Sequence, residues 1–468
     1  MKRESSDAFA AQFPSLNSAQ QTAPSSAGLA DARSKPGRPP ASARAMFRLL
    51  ERIEHGSLDL YLPDGQRLSF GSRVAAHEAS PERAAASGPH ANIQLTNWNL
   101  FSATLRAGDI GFAQSYLDGD WSTDSLIAVL ELATLNRDPL QDAIYGRWWG
   151  GLITRLRHLL NRNTRAGSRR NIHAHYDLGN PFYALWLDPS MTYSSALFDG
   201  NQTLTLEQAQ QQKYRRILEE LQPAFEAKPG ETHQAAFEPA QTTRPGRISQ
   251  RGTVLEIGCG WGGFAEAAAR DGLTVRGLTL SKEQLAFATQ RIDQAGLAEQ
   301  VQLDLCDYRD EQGRYDAIAS IEMFEAVGES YWPAYFQTVH RALAPHGRAV
   351  IQTITIADEL FDRYRRGSDF IQQFVFPGGM LPTVSAFAQH AERAGLRVVR
   401  SFGFGQDYAR TLQLWRERFI AQIDSVRRQG FDSRFERVWE FYLAYCEAGF
   451  RHRNIDVFQF TLEHAQRP

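Results

Sequence analysis

The segment TVLEIGCGWGGFAEAAARDG, residues 253–272, constrains the fold more than any other part of the chain. A short apolar run leads into Glu256, a loop carrying Gly258, Gly260 and Gly262, and an alanine-rich stretch of helical character. Glycines in such a loop let the backbone turn sharply and approach a ligand where any side chain would collide. Strand-like and helix-like runs then alternate: TVRGLTL, SKEQLAFATQRI, VQLDLCD, YDAIASI, YWPAYFQTVHRAL, RAVIQTITI, TVSAFAQHAERAG and LRVVRSFGFG. That rhythm predicts a doubly wound α/β sheet. Ligands of such sheets bind beyond the carboxyl ends of the strands, so functional residues are expected there. The strand ending VRGLTL has no acidic residue to hold a ribose, which weighs against a nicotinamide enzyme.

The rest of the chain divides around this sheet. Residues 1–44, rich in Ser, Ala, Pro and Gln, read as a disordered tail. Residues 45–145 contain the helix-like MFRLLERI, a hairpin signal at Asp64-Gly65, and the amphipathic SLIAVLELATLN, predicting a smaller amino-terminal α+β domain. Residues 146–170 carry seven arginines and no acidic residue, with Trp148 and Trp149 beside several leucines. A helix there would be basic on one side and apolar on the other. It either adsorbs to an anionic lipid surface or packs its apolar face on its own domain, with the arginines merely solvated. Residues 171–468 form the doubly wound domain, interrupted at 223–251 by a proline-containing stretch without apolar period that reads as a disordered insertion.

Charge and cysteine usage narrow the function. With 51 Lys+Arg against 53 Asp+Glu the net charge is −2, which lacks the field of a dedicated nucleic-acid binder. Cys259, Cys306 and Cys446 have neither the number nor the spacing of a disulfide scaffold or a metal site, so a reduced cytoplasm is expected and no metal. No window approaches the roughly 18 unbroken apolar residues of a spanning helix, and MKRESSDAFAAQF lacks the apolar run of a secretory signal.

The order strand, Glu256, Gly258, Gly260, Gly262 resembles the first motif of the S-adenosylmethionine-dependent methyltransferases, and the missing ribose carboxylate sets the chain apart from the generic ones. HYDLGNPFYALWLDPSMTYSSALF, LEIGCGWGG, GLTLSKEQ, IEMFEAVGE, QTITI, DFIQQFVFPGGMLP and QDYARTLQLW occur in this order. Together they resemble the cyclopropane-fatty-acyl-phospholipid synthase family, which includes the mycolic acid cyclopropane synthases. The region GFAQSYLDGDW resembles the amino-terminal domain of the bacterial phospholipid enzymes, which points to a phospholipid acyl chain as substrate.

The resemblance implies a class I methyltransferase sheet and transfer of a methylene unit from S-adenosylmethionine to a cis double bond, closing a cyclopropane through a carbocation. It assigns Tyr176, Tyr193 and Ser194 to the methionine and sulfonium end of the cofactor and Gly258 and Gly260 to its underside. Leu278, Thr279 and Gln284 would bracket ribose and adenine, with Cys306, Asp307 and Ile321 at the adenine edge. Gln284 also completes a capping box with Ser281, returning a hydrogen bond to the helix start. Cys259 reads as a small packed side chain, since methyl transfer to an alkene needs no nucleophile.

Family members commonly hold a bicarbonate ion at the reacting centre, and the corresponding positions are Ser195, Glu325, Gln352, Ile354 and Tyr408. Serine stands where cysteine is common and glutamine where histidine is common, which leaves the base for the outgoing proton undefined. The implied partners are unsaturated phospholipids at the inner membrane surface, approached from the cytoplasm, with a homo-oligomer left open. A methyl- or methylene-branched product, or a soluble small-molecule substrate, are the alternative outcomes.

Overall fold

In a computed structural model of the protein, residues 38–71, 88–138, 178–226 and 252–465 are described. Tyr176, the basic segment 146–170, most of the tail and residues 227–251 of the expected insertion lie outside them. The chain forms two compact units, one of residues up to Thr154 together with Val426–Ala448, the other of Arg155–Ser425 and Gly449–Pro468.

The first unit is the expected α+β domain. Its sheet runs β2-β1-β3-β4, with β1 Ser57–Tyr61, β2 Arg67–Gly71, β3 His90–Leu95 and β4 Trp121–Ser122. The β1–β2 hairpin turns at Asp64-Gly65, where Gly65 adopts φ +84°, a conformation glycine takes without steric cost. Helices α1 Ala41–Leu50, α2 Asn99–Leu117 and α3 Leu126–Leu135 accompany the sheet. Helix α1 starts inside the stretch read as tail, because Pro40 opens it and Ala43 and Met46 are buried. The unit also takes in Val426–Ala448, which the sequence reading left in the second domain. Tyr116 accounts for this: its hydroxyl donates to Glu440 at 3.0 Å and its ring lies 5.8 Å from that of Phe441.

The second unit is a seven-stranded sheet of order β10-β11-β9-β8-β5-β6-β7. Its strands are β5 Thr253–Ile257, β6 Thr274–Thr279, β7 Val301–Leu305, β8 Tyr315–Ile321, β9 Leu343–Ile356, β10 Leu396–Gly403 and β11 Ile455–His464. Strands β5 to β9 are parallel, while β11 inserts antiparallel between β9 and β10. The helices used below are α4 Leu206–Glu226, α5 Gly263–Arg270, α6 Lys282–Gln294, α7 Trp332–Ala342, α8 Val384–Arg393 and α9 Gly405–Ala421. Helix α4 carries Pro223 within its last turn, so the expected insertion begins after Glu226 rather than at 223.

Alternation along β5 divides its side chains between two cores. Leu255 and Ile257 join Phe324, Tyr335, Phe336, Phe387 and Phe460 on one face, and Val254 joins Tyr214, Ile217, Phe264 and Ala268 on the other. Phe387 and Phe460 stack with centroids 4.1 Å apart. Each buried ring of this kind contributes about 1.5–3 kcal/mol. From β5 the chain runs outward to β7 and returns to β8, so the strand order reverses between β5 and β8. Crevices form beyond the strand ends at such a reversal, and the glycine loop after β5 and the segment after β8 meet there.

Candidate active site

The glycine loop has the backbone its sequence requires. Gly258, Gly260 and Gly262 all have positive φ, at +87°, +51° and +80°. A Cβ on Gly258 would meet Met323 at 2.8 Å, whereas one on Gly260 would project into open space with nothing within 4 Å. The amides of Gly258 and Cys259 both donate to the carbonyl of Leu278, at 3.0 and 2.8 Å, which ties the loop to the end of β6. Cys259 is buried, and burial pushes its thiol well above the ordinary range, as a packed rather than reactive side chain should be.

The helix start after β6 differs from the capping box expected. The Ser281 hydroxyl accepts from the Gln284 amide at 3.2 Å, but the Gln284 side chain accepts from the Thr279 hydroxyl at 3.0 Å. The Ser281 amide is satisfied by Thr279 Oγ1 instead, so nothing is left for Gln284 to return. Thr279 and Gln284 are thereby joined in one buried pair. Asp307 spends its carboxylate on Arg309, at 2.8 and 2.6 Å, and on the amide of the short turn it begins, so its side chain is engaged within its own loop. The Cys306 thiol donates to the Asp307 carbonyl at 3.4 Å, and Ile321, the last residue of β8, is half-buried.

The reacting-centre residues converge on a residue the sequence reading did not single out. Glu322 follows β8 directly, at the reversal of strand order. Its Oε1 accepts from the Ser195 amide at 2.8 Å and from Gln352 Nε2 at 2.7 Å, and its Oε2 from the Tyr408 hydroxyl at 2.6 Å. Each partner is held in place by its own element. Gln352 pairs across β9 and β11 with Gln459, whose amide donates to Gln352 Oε1 at 3.0 Å and so turns the Gln352 NH2 toward Glu322. Helix α9 carries Tyr408, and its Asp407 and Thr411 accept from the amides of Phe198, Asp199 and Ala196, clamping the loop that presents Ser195. The Ser195 hydroxyl itself donates to the Ala196 carbonyl at 3.0 Å.

Glu325 is set apart from this cluster by its partner. Its Oε1 accepts from the Ile354 amide at 2.5 Å, and its buried Oε2 has no hydrogen-bond partner among the described residues. Burial, then the neighbouring charge of Glu322, pushes Glu325 up to about 8. Burial raises Glu322 as well, opposed by Lys213 and by its three donors. Both carboxyls are pushed upward, and of the two Glu322 is the one with a cation and three donors opposing that push, the unlike surroundings that set the roles of adjacent carboxylates apart.

Lys213 is the second functional candidate the sequence reading passed over. It is fully buried on α4, donates to Ser194 Oγ at 2.5 Å and to Gln210 Oε1 at 2.7 Å, and is pulled down to about 7 by burial. Gln210 in turn donates to the Ser194 carbonyl at 2.8 Å. Tyr193 stands in an aromatic group, its ring 5.4 Å from both Trp186 and Trp415 and 5.5 Å from Tyr183. Both missed residues carried a signal. Glu322 is the first residue beyond an apolar strand, and Lys213 falls on the buried stripe formed by Leu206, Ala209, Ile217 and Leu221.

The family model described as mycolic acid cyclopropane synthetase matches residues 163–232 and 240–460. The chain is 39% identical to the tuberculostearic acid methyltransferase UfaA1 of Mycobacterium tuberculosis, over 76% of this chain and 79% of that protein. It is 33% identical to the cyclopropane-fatty-acyl-phospholipid synthase of Escherichia coli, over 79% and 87% respectively. The mycolic acid cyclopropane synthase CmaA1, solved with SAH and CTAB, superposes with a TM-score of 0.54 at 30% identity, covering 63% of this chain and 97% of that one. A class I methyltransferase sheet, its glycine cradle and this extent of identity make the chain a member of the mycolic acid cyclopropane synthetase family, the S-adenosylmethionine-dependent lipid methyltransferases and cyclopropane synthases.

Proposed function

We propose that the protein transfers a methyl group from S-adenosylmethionine to the cis double bond of unsaturated phospholipid acyl chains and then removes a proton, closing a cyclopropane. The observation that carries this reading is the buried acid cluster of Glu322, Glu325 and Tyr408 beyond the end of β8, beside the glycine loop. Bound S-adenosylmethionine supplies an electrophilic methyl on a positively charged sulfur. The open space over Gly260 fits such a group, and Tyr193, Ser194, Gly258, Leu278, Thr279 and Gln284 would hold it.

An alkene is a weak nucleophile, and once methylated it is a carbocation that water would destroy. The chain's own residues meet that hazard. Tyr193, Trp186 and Trp415 supply π surface, the buried Ser195, Gln352 and Tyr408 surround the half-buried Glu322, and the negative charge on Glu322 is positioned in advance of the reaction. Lys213 balances that charge from the other side. The basic, tryptophan-containing segment 146–170 supports adsorption to the anionic inner surface of a membrane, and no helix among the described residues is long and apolar enough to cross one.

A second reading ends in a methyl-branched alkene, when the proton leaves a neighbouring chain carbon, or in a methylene-branched chain, when a hydride first shifts from the methyl-bearing carbon to the cation and the methyl then loses the proton. The 39% identity to a tuberculostearic acid methyltransferase favours it. Proton NMR of phospholipids extracted from a host lacking its own cyclopropane synthase tests both. Strongly shielded ring-methylene signals on expression are the expected result. Chains gaining one CH2 without those signals establish the branched product, and unaltered phospholipids overturn the acyl-chain reading.

A further inference from the structure

Four of the five positions that the family resemblance assigns to a bicarbonate ion already give a donor to a carboxylate of the chain. The Ser195 amide, the Gln352 amide and the Tyr408 hydroxyl donate to Glu322, and the Ile354 amide donates to Glu325. The residues present therefore do not fit the ion. We propose instead that the Glu322 carboxylate is a built-in replacement for it and accepts the proton released after methyl transfer; the inference rests on the acyl-chain reading above.

Three observations carry it. First, Glu322 holds φ +50°, a left-handed backbone that a residue with a Cβ rarely adopts. Strain of this kind persists only where the surroundings over-determine it, and it concentrates at functional sites. Here the surroundings are three hydrogen bonds to one side chain. Second, the two oxygens differ. Oε1 accepts two donors and is saturated, whereas among the described residues Oε2 accepts from Tyr408 alone, which leaves it a lone pair. Third, the two neighbouring carboxyls are set apart: on Glu322 the Lys213 charge and three donors oppose the upward push of burial, whereas on Glu325 burial and the charge of Glu322 act together to push it up to about 8.

The step balances without any external reagent. A C–H bond breaks, either on the transferred methyl, one carbon removed from the cationic centre, or on a chain carbon next to that centre, and its proton passes to Glu322 Oε2. The electron pair left behind forms a ring C–C bond if the hydrogen came from the transferred methyl, or a C=C bond if it came from the chain. Carbocation and carboxylate are both neutralised.

The wild-type enzyme is expected to form product at the same rate in CO2-free buffer as in buffer with added bicarbonate, a measurement that needs no variant. Glu322→Gln should retain S-adenosylmethionine affinity by calorimetry, which also reports that it is folded, and lose product formation by about 10²–10⁴-fold. Glu322→Gly relieves the backbone strain and frees the three donors. It should therefore bind 13C-labelled bicarbonate, seen as line broadening by NMR in the presence of S-adenosylhomocysteine, while the wild type does not. Bicarbonate binding or bicarbonate-dependent turnover by the wild type, or full turnover by Glu322→Gln, overturns the inference. Failure of the acyl-chain reading looks different: no lipid product from the wild type in any buffer, with the 13C measurement still reporting what occupies the site.

Discussion

A buried carboxylic acid that keeps its proton against a charged neighbour makes stability depend on pH in a definite direction. Glu325 rises from 4.5 to about 8 through burial and then the charge of Glu322. A group bound more tightly to its proton in the folded chain contributes stability that is fully present below about 4.5 and is lost as pH rises through about 8. Glu325→Gln, which keeps an oxygen for the Ile354 amide and cannot ionise, removes that dependence. Its melting temperature is expected to gain on the wild type steadily from about pH 5 to about pH 8 and to level off above that, read by thermal denaturation at a series of pH values. Lys213 acts with the opposite sign, its contribution being lost as pH falls through about 7, but it is common to both proteins and cancels. A constant gap would show that Glu325 ionises freely. At this scale the sequence exposed Ser195, Gln352 and Tyr408 through their motifs, yet hid what they bind. IEMFEAVGE contains two glutamates three residues apart, and only the left-handed turn at Glu322 decides which of them meets the others.

Among the elements, the glycine loop separates the cost of a backbone shape from the cost of a filled site. Gly260 and Gly65 both have positive φ and nothing within 4 Å of an added Cβ, one beside the strand-order reversal and one in an ordinary hairpin. Alanine at either position forces a left-handed residue, at about 1–2 kcal/mol. Gly260→Ala and Gly65→Ala should therefore lower the melting temperature comparably, while only Gly260→Ala weakens S-adenosylmethionine, by about tenfold or more, equivalent to about 1.4 kcal/mol. Calorimetry of both variants checks this, and equal affinities would remove Gly260 from the cofactor site. The strands and helices from β5 to β10 were legible because, β7 apart, each parallel strand is followed by a helix with its own period. Strand β11 was not: it follows the helix Ser433–Arg451, pairs antiparallel, and is buried through most of its middle, so it shows no alternation. Yet β11 brings Gln459 beside Gln352 and fixes which way that amide points.

For the molecule as a whole, the two-domain plan followed from where the apolar period starts and stops, but the allegiance of Val426–Ala448 did not. Its helix has an apolar face that would suit either unit, and the contacts of Tyr116 and Asp118 with Arg434, Arg437, Glu440 and Phe441 decide the matter. The step from such a molecule to a lipid substrate needs a means of reaching a bilayer, and the arginines of residues 146–170 are the one strongly basic stretch the sequence offers. Each basic residue near an anionic surface contributes about 1 kcal/mol, and the attraction falls off within a Debye length of roughly 10 Å at 0.1 M salt. Reversing Arg155, Arg157, Arg162 and Arg165 to glutamate replaces four attractions with repulsions. Binding to vesicles containing phosphatidylglycerol should then weaken by about 10³-fold or more at low salt, with the difference shrinking as salt is raised. S-adenosylmethionine affinity should be unchanged, because the cofactor meets the glycine loop and not this segment. Co-sedimentation and calorimetry read the two quantities separately. If vesicle affinity survives the reversals, the arginines are only the solvated face of a linker, and the acyl chain must reach Glu322 by another surface of the protein.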